Sequence, residues 1–309
     1  MRVALLLLAL IAAPLQADWY RGNTHSHTSE SDGDSTPLEV AQWYADHGYH
    51  FLVLTDHDKL TRLENPPLLL IPGEEISDKL PKRPLHLGAI GIEKVIAPAG
   101  GSSVVEVLQR NVDAIVAAGG VAAINHPNFG WAFGTPELMQ IRGATLLEIV
   151  SGHPYVNQLG PPSVEQMWDD LLTAGRRIWG VAADDSHHFK RPWDTHVALP
   201  GQAWIVVRAE RGDRPSLTEA LRRGDFYAST GVEIADYQVK GDTLSVTITP
   251  RGGARYRTQY IGEKGRVLAE STGLTSTFKL GRKSSYVRAK VIDSNGNMAW
   301  LQPTFREKR

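Results

Sequence analysis

Two histidines one residue apart, His25 and His27, are followed by a carboxylate at Asp32. Further along come Asp56-His57, Glu74-Glu75, His86, Asn125-His126 and Asp184-Asp185-Ser186-His187-His188, most of them just after a short apolar run. Neutral imidazole and carboxylate are the ligands a hydrolytic metal site uses, and a site with two or three cations needs a bridging carboxylate. Any one of these histidines alone reads better as a satisfied core residue. Together they are hard to explain as packing, because burying many ionisable groups is costly unless each has a cation or a partner. The chain has no cysteine, so the ligands are nitrogen and oxygen, which points to Zn, Mn or Fe rather than a thiolate site. In extended backbone, side chains at i and i+2 share a face. A first strand over residues 19–27 therefore sets His25 and His27 side by side.

The elements that must position these groups alternate. Thr36-Pro37-Leu38-Glu39 carries a capping box with proline at the first helical position. Leu38, Val40, Ala41, Trp43, Tyr44 and Ala45 give the helix its apolar face, and Gly48 ends it. Phe51-Leu52-Val53-Leu54 is a continuous apolar run, as in a parallel strand buried on both faces. It ends in Thr55-Asp56-His57, and the run Leu68-Leu69-Leu70-Ile71 ends in Gly73-Glu74-Glu75. Residues 85–90 form a short strand. Residues 103–118 are expected to be helical, with Val104, Val107, Leu108, Val112, Ile115 and Val116 on one face. Strands over 121–124, 146–150 and 179–183 lead into His126, His153 and Asp185-His187. Residues 164–174 and 216–223 read as helices and 203–207 as a strand. Strand, histidine-bearing end, helix is the unit of a parallel, barrel-like α/β fold, whose functional residues gather at the C-terminal strand ends. After Gly231 the pattern becomes short alternating runs and turns, which predicts a small antiparallel β-sandwich over residues 231–309.

A chain of 309 residues holds one large domain and a smaller one. Net charge is −1, which gives no general affinity for nucleic acid. Its distribution is uneven: residues 231–309 carry 14 basic and 7 acidic side chains, whereas all 11 histidines lie between His25 and His196. An acidic, histidine-rich body suits cation binding. Residues 1–17 place Arg2 before an apolar run that ends in Leu15-Gln16-Ala17, as in a secretory signal peptide cleaved after Ala17. The run falls short of the roughly 20 residues a membrane span needs. The expected product is periplasmic or secreted and free of the membrane after cleavage, with a small-molecule substrate. The oligomeric state stays open.

His25-Ser26-His27-Thr28 with Ser31-Asp32-Gly33, then Thr55-Asp56-His57, Gly73-Glu74-Glu75, His86-Leu87-Gly88, Asn125-His126-Pro127 and Asp185-Ser186-His187 occur in this order. Together they resemble the PHP (polymerase and histidinol phosphatase) family, over nearly all of residues 20–230. The resemblance implies a distorted (β/α)7 barrel, here with the small C-terminal sandwich, and two or three divalent metals at the barrel mouth. It implies that His25 and His27 hold a first metal with Asp185 and Glu75. Asp32, His57 and His187 hold a second, and Glu75 bridges to a third held by His86 and His126. Glu75 is chosen over Glu74 because the motif is Gly-x-Glu, and Asp185 over Asp184 because it is Asp-x-His. Asp184, His188 and Arg191 are the candidate catalytic or orienting residues, and His153 is a ligand, an acid/base, a substrate contact or an ordinary histidine. Residues 224–231, with Ala299-Trp300-Leu301-Gln302-Pro303 and Ala183-Asp184-Asp185-Ser186-His187-His188, are similar to the branch of the family that includes carbaryl hydrolase.

These features point to an exported hydrolase in which a metal-bridging hydroxide attacks a phosphate ester. Lys59, Lys190 and Arg191 are then possible anion clamps or ordinary surface residues. The alternative on the same centre is a carboxyl or carbamate ester, or an amide. A distant rival is a non-enzymatic metal or glycan binder that uses the basic tail and Trp300 as its contact surface.

Overall fold

The structure is a computed structural model and describes residues 17–156, 162–281 and 284–306. All of the expected leader except Ala17 lies outside the described residues. The chain is mixed α/β, with several sheets and few helices. Strand β1 (Asp18–Asn23) leads to α1 (Pro37–Asp46), β2 (Phe51–Leu52), β3 (Leu69–Leu70), β4 (Gly73–Leu80), β5 (Arg83–Ile90), α2 (Val104–Ala117) and β6 (Val121–Ile124). Then come α3 (Thr135–Leu138), β7 (Leu146–Ser151), α4 (Val164–Thr173), β8 (Trp179–Ala183), β9 (Trp204–Ala209), α5 (Arg214–Arg223) and β10 (Phe226–Ser229). The last strands follow without an α-helix: β11 (Glu233–Lys240), β12 (Thr243–Thr249), β13 (Tyr256–Gly262), β14 (Arg266–Thr272), β15 (Thr275–Lys279), β16 (Tyr286–Asp293), β17 (Met298–Leu301) and β18 (Thr304–Phe305).

The helices start where their caps place them. Thr36 and Glu39 form the reciprocal capping box of α1, and Ser103, Ser163 and Asp213 cap α2, α4 and α5 through their side chains. Each such cap contributes about 1 kcal/mol. The apolar faces are narrower than their sequences: Leu38 and Val116 are exposed, while Val40, Ala41 and Tyr44 of α1 are buried.

The expected strand–helix alternation fails between β2 and α2. Glu75 does not end the apolar run at residues 68–71. It lies on β4, which turns at Pro81-Lys82 and pairs antiparallel with β5. Lys82 takes a positive φ of 64° to make that turn. The alternation Ile76-Ser77-Asp78-Lys79-Leu80 suits a hairpin strand with one buried face, and the prolines at 66, 67 and 72 keep the preceding segment from becoming a helix.

Two sheets flank the site. One runs β4-β5-β6-β7-β8, with parallel pairing only among β6, β7 and β8. The other runs β14-β13-β16-β17-β10-β9-β1-β2-β3. They meet through single parallel bridges at His57–Glu75 and Ser26–Ser186, both inside metal-motif segments. The longer sheet continues across Gly231, because β10 pairs with β17. Its far end and the separate sheet β11-β12-β15 share a buried cluster that includes Tyr256, Tyr260, Val291, Leu244, Val246 and Ile248. Tyr44, Leu52 and Trp204 belong to the same cluster, so the C-terminal strands and the β1–α1 layer share one core.

The C-terminal strands are also clamped to α4. Arg288 on β16, only 1% exposed, donates to both oxygens of Asp169 at 2.7 and 2.6 Å and to Glu165 at 2.8 Å. Lys290 donates to the other Glu165 oxygen at 2.7 Å. Part of the tail's basic charge is therefore consumed internally. Trp300, expected as a contact surface, is instead buried at 3% exposure.

Candidate metal centre

β1 ends at Asn23, and the segment beyond it carries the two histidines. The backbone is held between the sheets: His27 N–H donates to Ser186 O at 2.9 Å, and Asp185 N–H donates to His25 O at 3.0 Å. Gly33 closes the loop after His27. A Cβ there would stand 2.6 Å from His27 O, so only glycine lets the two chain segments approach this closely. The first strand is shorter than expected, yet His25 and His27 still meet, with their Nε2 atoms 3.2 Å apart.

Glu75 is the centre of the constellation. Its carboxylate lies 3.3 Å from His25, 3.4 Å from His27, 3.2 Å from His57, 3.4 Å from His86 and 3.2 Å from His126. Asn125 donates to Oε1 at 2.8 Å. Asp185 stands 3.2 Å from His25 and 3.3 Å from His27. Asp32, half exposed, reaches His57 at 3.4 Å and His187 at 3.3 Å. All nine residues expected as ligands thus come together. They fall into four overlapping sets that could each hold one cation: His27-Asp32-His57-His187, His25-Glu75-His126, His25-His27-Asp185 and His57-Glu75-His86. His86 and His126, expected to share a metal, fall in separate sets, although both approach the same Glu75 oxygen, at 3.4 and 3.2 Å.

The residues fit divalent cations. Every donor is nitrogen or oxygen. The two Nε2 atoms of His25 and His27 face each other with room for at most one proton between them, a geometry a cation relieves. The opposite ring nitrogens are fixed by other groups. His25 Nδ1 faces a Glu148 oxygen at 2.8 Å, and His187 Nδ1 donates to Asp185 O at 2.9 Å. Both leave Nε2 free to ligate, which is how outer groups orient metal-bound histidine. Asp185 has a left-handed φ of 49°, a strained conformation for a non-glycine residue that clusters at functional sites.

The charges are tightly coupled. Burial disfavours the charged form of His25, but Asp185, Glu75 and Glu148 outweigh it and raise its pKa well above the ordinary value. Burial drives His27 down to about 4, against Asp185, with His187 adding to the fall. Burial raises a carboxylate pKa, yet His25 and His86 hold Glu75 well below the usual range, and His25 and His27 do the same for Asp185. Two anions are thus held ionised among imidazoles.

The centre floors a cleft of about 290 Å³ whose other lining residues are Phe129, His153, Val156 and His188. Among the described residues, no Lys or Arg lines it. Lys59 is paired with Glu30. Arg191 stands behind His188, whose Nδ1 it meets at 3.2 Å, and pairs with Asp194 at 3.6 Å. Asp184 is not placed to act on a substrate. Its buried carboxylate accepts N–H groups of Gly201, Gln202 and Ala203 at 2.7–2.8 Å and the Tyr44 hydroxyl at 2.7 Å, so it braces the strand below the site. Glu74 points away from the centre and accepts the Ile96 N–H at 2.7 Å.

Two supporting residues had no role assigned from the sequence. Glu148 orients His25, and its signal was a charge inside the apolar run 146–150. Asp56 is buried and accepts from Thr28 N–H at 2.7 Å, Thr28 Oγ1 at 2.8 Å and Ser31 Oγ at 2.8 Å, which fixes the loop that carries His27 and Asp32.

No family model and no curated protein matches the chain. Among solved structures, it is similar to a two-domain protein from Bacteroides vulgatus containing a predicted PHP-like metal-dependent phosphoesterase. That match has 16% identity and a TM-score of 0.53 and covers 97% of this chain and 100% of that one. An amidohydrolase from Chromobacterium violaceum with bound sulfate and no metal matches at 17% identity and a TM-score of 0.42, over 58% of this chain and 92% of its own. At such identities the likeness to the Bacteroides protein is one of fold, and it runs through both halves of the chain.

Proposed function

We propose that this chain, which shares the fold of a PHP-like two-domain protein, is an exported metal-dependent hydrolase that cleaves ester bonds in the cleft above Glu75. The observation that carries the proposal is the convergence of nine nitrogen- and oxygen-bearing residues, with the buried Glu75 carboxylate at their centre, at the floor of that cleft. The fold likeness supports it. In this reading residues 18–230 are a distorted (β/α)7 barrel, residues 231–309 a small antiparallel β-sandwich joined to it through the β10–β17 pairing, and residues 1–17 a leader removed on export.

When bound, divalent cations supply an activated water and polarise the substrate oxygen. Glu75, Asp185 and Asp32 provide the negative charge that holds cations. Glu148 and the Asp185 carbonyl keep His25 and His187 in the ligating tautomer. Phe129 and Val156 give the cleft an apolar wall that lowers the local dielectric and strengthens the electrostatic interactions beside it.

The first substrate reading is a phosphate ester. A second, attack at the carbonyl of a carboxyl or carbamate ester or an amide, is favoured by the cleft lining, since among the described residues no Lys or Arg lines the cleft while Phe129 and Val156 do. The test is turnover of 4-nitrophenyl phosphate and 4-nitrophenyl acetate by the full chain loaded with Zn, Mn or Fe, before and after chelation. Metal-dependent release of nitrophenol from either supports the hydrolase. Activity that survives complete metal removal contradicts it.

A further inference from the structure

His153 lines the cleft but belongs to none of the four ligand sets. It follows β7 on a tight turn in which Gly152 N–H donates to Ala183 O at 2.8 Å and Val156 N–H donates to His153 O at 3.1 Å. A Cβ at Gly152 would come within 2.8 Å of both Asp184 O and the Gln202 side chain. The turn is thus pressed against the segment that carries Asp185, and the position of His153 is fixed by the backbone. Its ring lies edge-on to His187, with centroids 5.6 Å apart, and 6.5 Å from Phe129. It stands between the metal ligands and the apolar wall.

One hydrogen bond decides what this ring can do. The backbone N–H of Tyr155 donates to His153 Nδ1 at 3.2 Å. A backbone amide only donates, so Nδ1 carries a lone pair, and the neutral ring then bears its proton on Nε2. In this arrangement Nδ1 cannot be protonated as well, so the ring is not a general acid of the imidazolium kind. The other lining groups are differently engaged. Asp32, Glu75 and Asp185 only accept, and four further histidines of the lining are ligands. His188 has both the Arg191 guanidinium at 3.2 Å and the Asp34 carboxylate at 3.5 Å on its Nδ1, so its tautomer is not fixed by geometry.

We propose that His153 is a catalytic residue that acts as a fixed neutral donor, offering Nε2–H to the substrate oxygen on which negative charge develops. This rests on the hydrolase reading above and deepens it. The donor serves a phosphoryl or a carbonyl oxygen alike, and no proton leaves the ring.

Two measurements on the full-length chain test it. In the first, nitrogen-15 spectra record the tautomer of His153, assigned by the signals lost in His153→Gln. Nε2–H is expected, and an Nδ1–H or doubly protonated ring overturns the proposal whether or not the protein is an enzyme. The second compares the metal-loaded wild type, His153→Phe and His153→Gln on 4-nitrophenyl phosphate and 4-nitrophenyl acetate. His153→Phe keeps a ring but loses the donor, and kcat should fall by about 10²–10³, the usual effect of removing one oxyanion donor. KM and metal content should change little, and His153→Gln, which restores an N–H, should recover at least tenfold of the loss. Equal loss in both variants means a packing role, and loss of a metal equivalent means that His153 is a ligand; either overturns the proposal. A wild type inactive on both esters in the presence of metal counts against the hydrolase reading and removes this catalytic role, while the tautomer still reports on the donor itself.

Discussion

Replacing Glu75 with Gln removes one charge from the middle of five imidazoles and keeps the side-chain volume. The size of the effect follows from how the ligand sets overlap. A neutral imidazole has one free lone pair and serves one cation, whereas a carboxylate can bridge two. His25, His27 and His57 each belong to two of the four sets, so at most two sets are filled with full ligation at once, and a third cation must accept a shared or incomplete set. Both sets that contain Glu75 fail in the variant. The remaining two compete for His27, which leaves one full set. The expected change is from at least two tightly held ions per chain to about one, the lost ion bound at least about 100-fold more weakly, the upper end for groups one layer further out. Metal content after gel filtration in chelator-free buffer measures this, circular dichroism confirms the fold, and nitrophenyl ester turnover should fall by at least about 100-fold. The control is Glu74→Gln, one residue along the strand and on its other face. Undiminished metal and turnover in Glu75→Gln, or damage confined to Glu74→Gln, would refute the placement of this carboxylate at the centre.

Glu74→Gln carries an expectation of its own. Burial raises the Glu74 acid from 4.5 to about 7, against the Ile96 N–H that favours its ionised form, and its second oxygen has no partner. The folded state therefore holds this proton more tightly than the unfolded one, so stability falls as pH rises from about 4.5 through 7. The substitution should remove that slope and raise stability at pH 8 by up to roughly 3 kcal/mol; an unchanged difference between urea midpoints at pH 5 and 8 would contradict it. Arg288→Ala leaves Asp169 buried without its cation and should cost about 3–5 kcal/mol, seen as a lower midpoint in a single urea transition. A cost below about 1 kcal/mol, or separate transitions for the two halves, would mean that the C-terminal strands are not integral to the fold. Asp184→Asn turns one of the two acceptor oxygens into a donor, so that at least one of the three backbone N–H groups loses its acceptor, and should lower stability by about 1–3 kcal/mol without changing metal content; loss of an ion would make Asp184 a ligand.

Much of the site was legible because metal ligation demands particular residue types. His25, His27, Asp32, His57, Glu75, His86, His126, Asp185 and His187 could be picked out one by one, and the structure gathers them. The choice between adjacent acids rested on motif spacing, and backbone register places Glu75 and Asp185 inward and their neighbours outward. Catalytic roles were harder to read. Asp184 sits beside a ligand, but its oxygens are used up by backbone amides contributed by residues 201–203, a long-range contact that no local pattern reveals. His153 depends on a turn pressed against another strand end. The fold was legible where one helix or one buried strand decides it, as with the capped α1 and α2. It was not where pairing decides it: β4 and β5 form a hairpin in place of an expected crossover, and β10 joins β17 across the position expected to divide the chain. Trp300 served only the rival reading as a contact surface, and it lies instead in the buried cluster that holds Trp168, Phe226 and Tyr286.

The proposed function requires at least two divalent cations held by nitrogen and oxygen ligands. The most direct measurement is elemental analysis of the full-length protein, purified without chelators or metal-affinity resin and then dialysed against Zn, Mn or Fe salts. Two to three ions per chain are expected, with Glu75→Gln lower by about one. Fewer than one ion per chain under all three metals would contradict the claim.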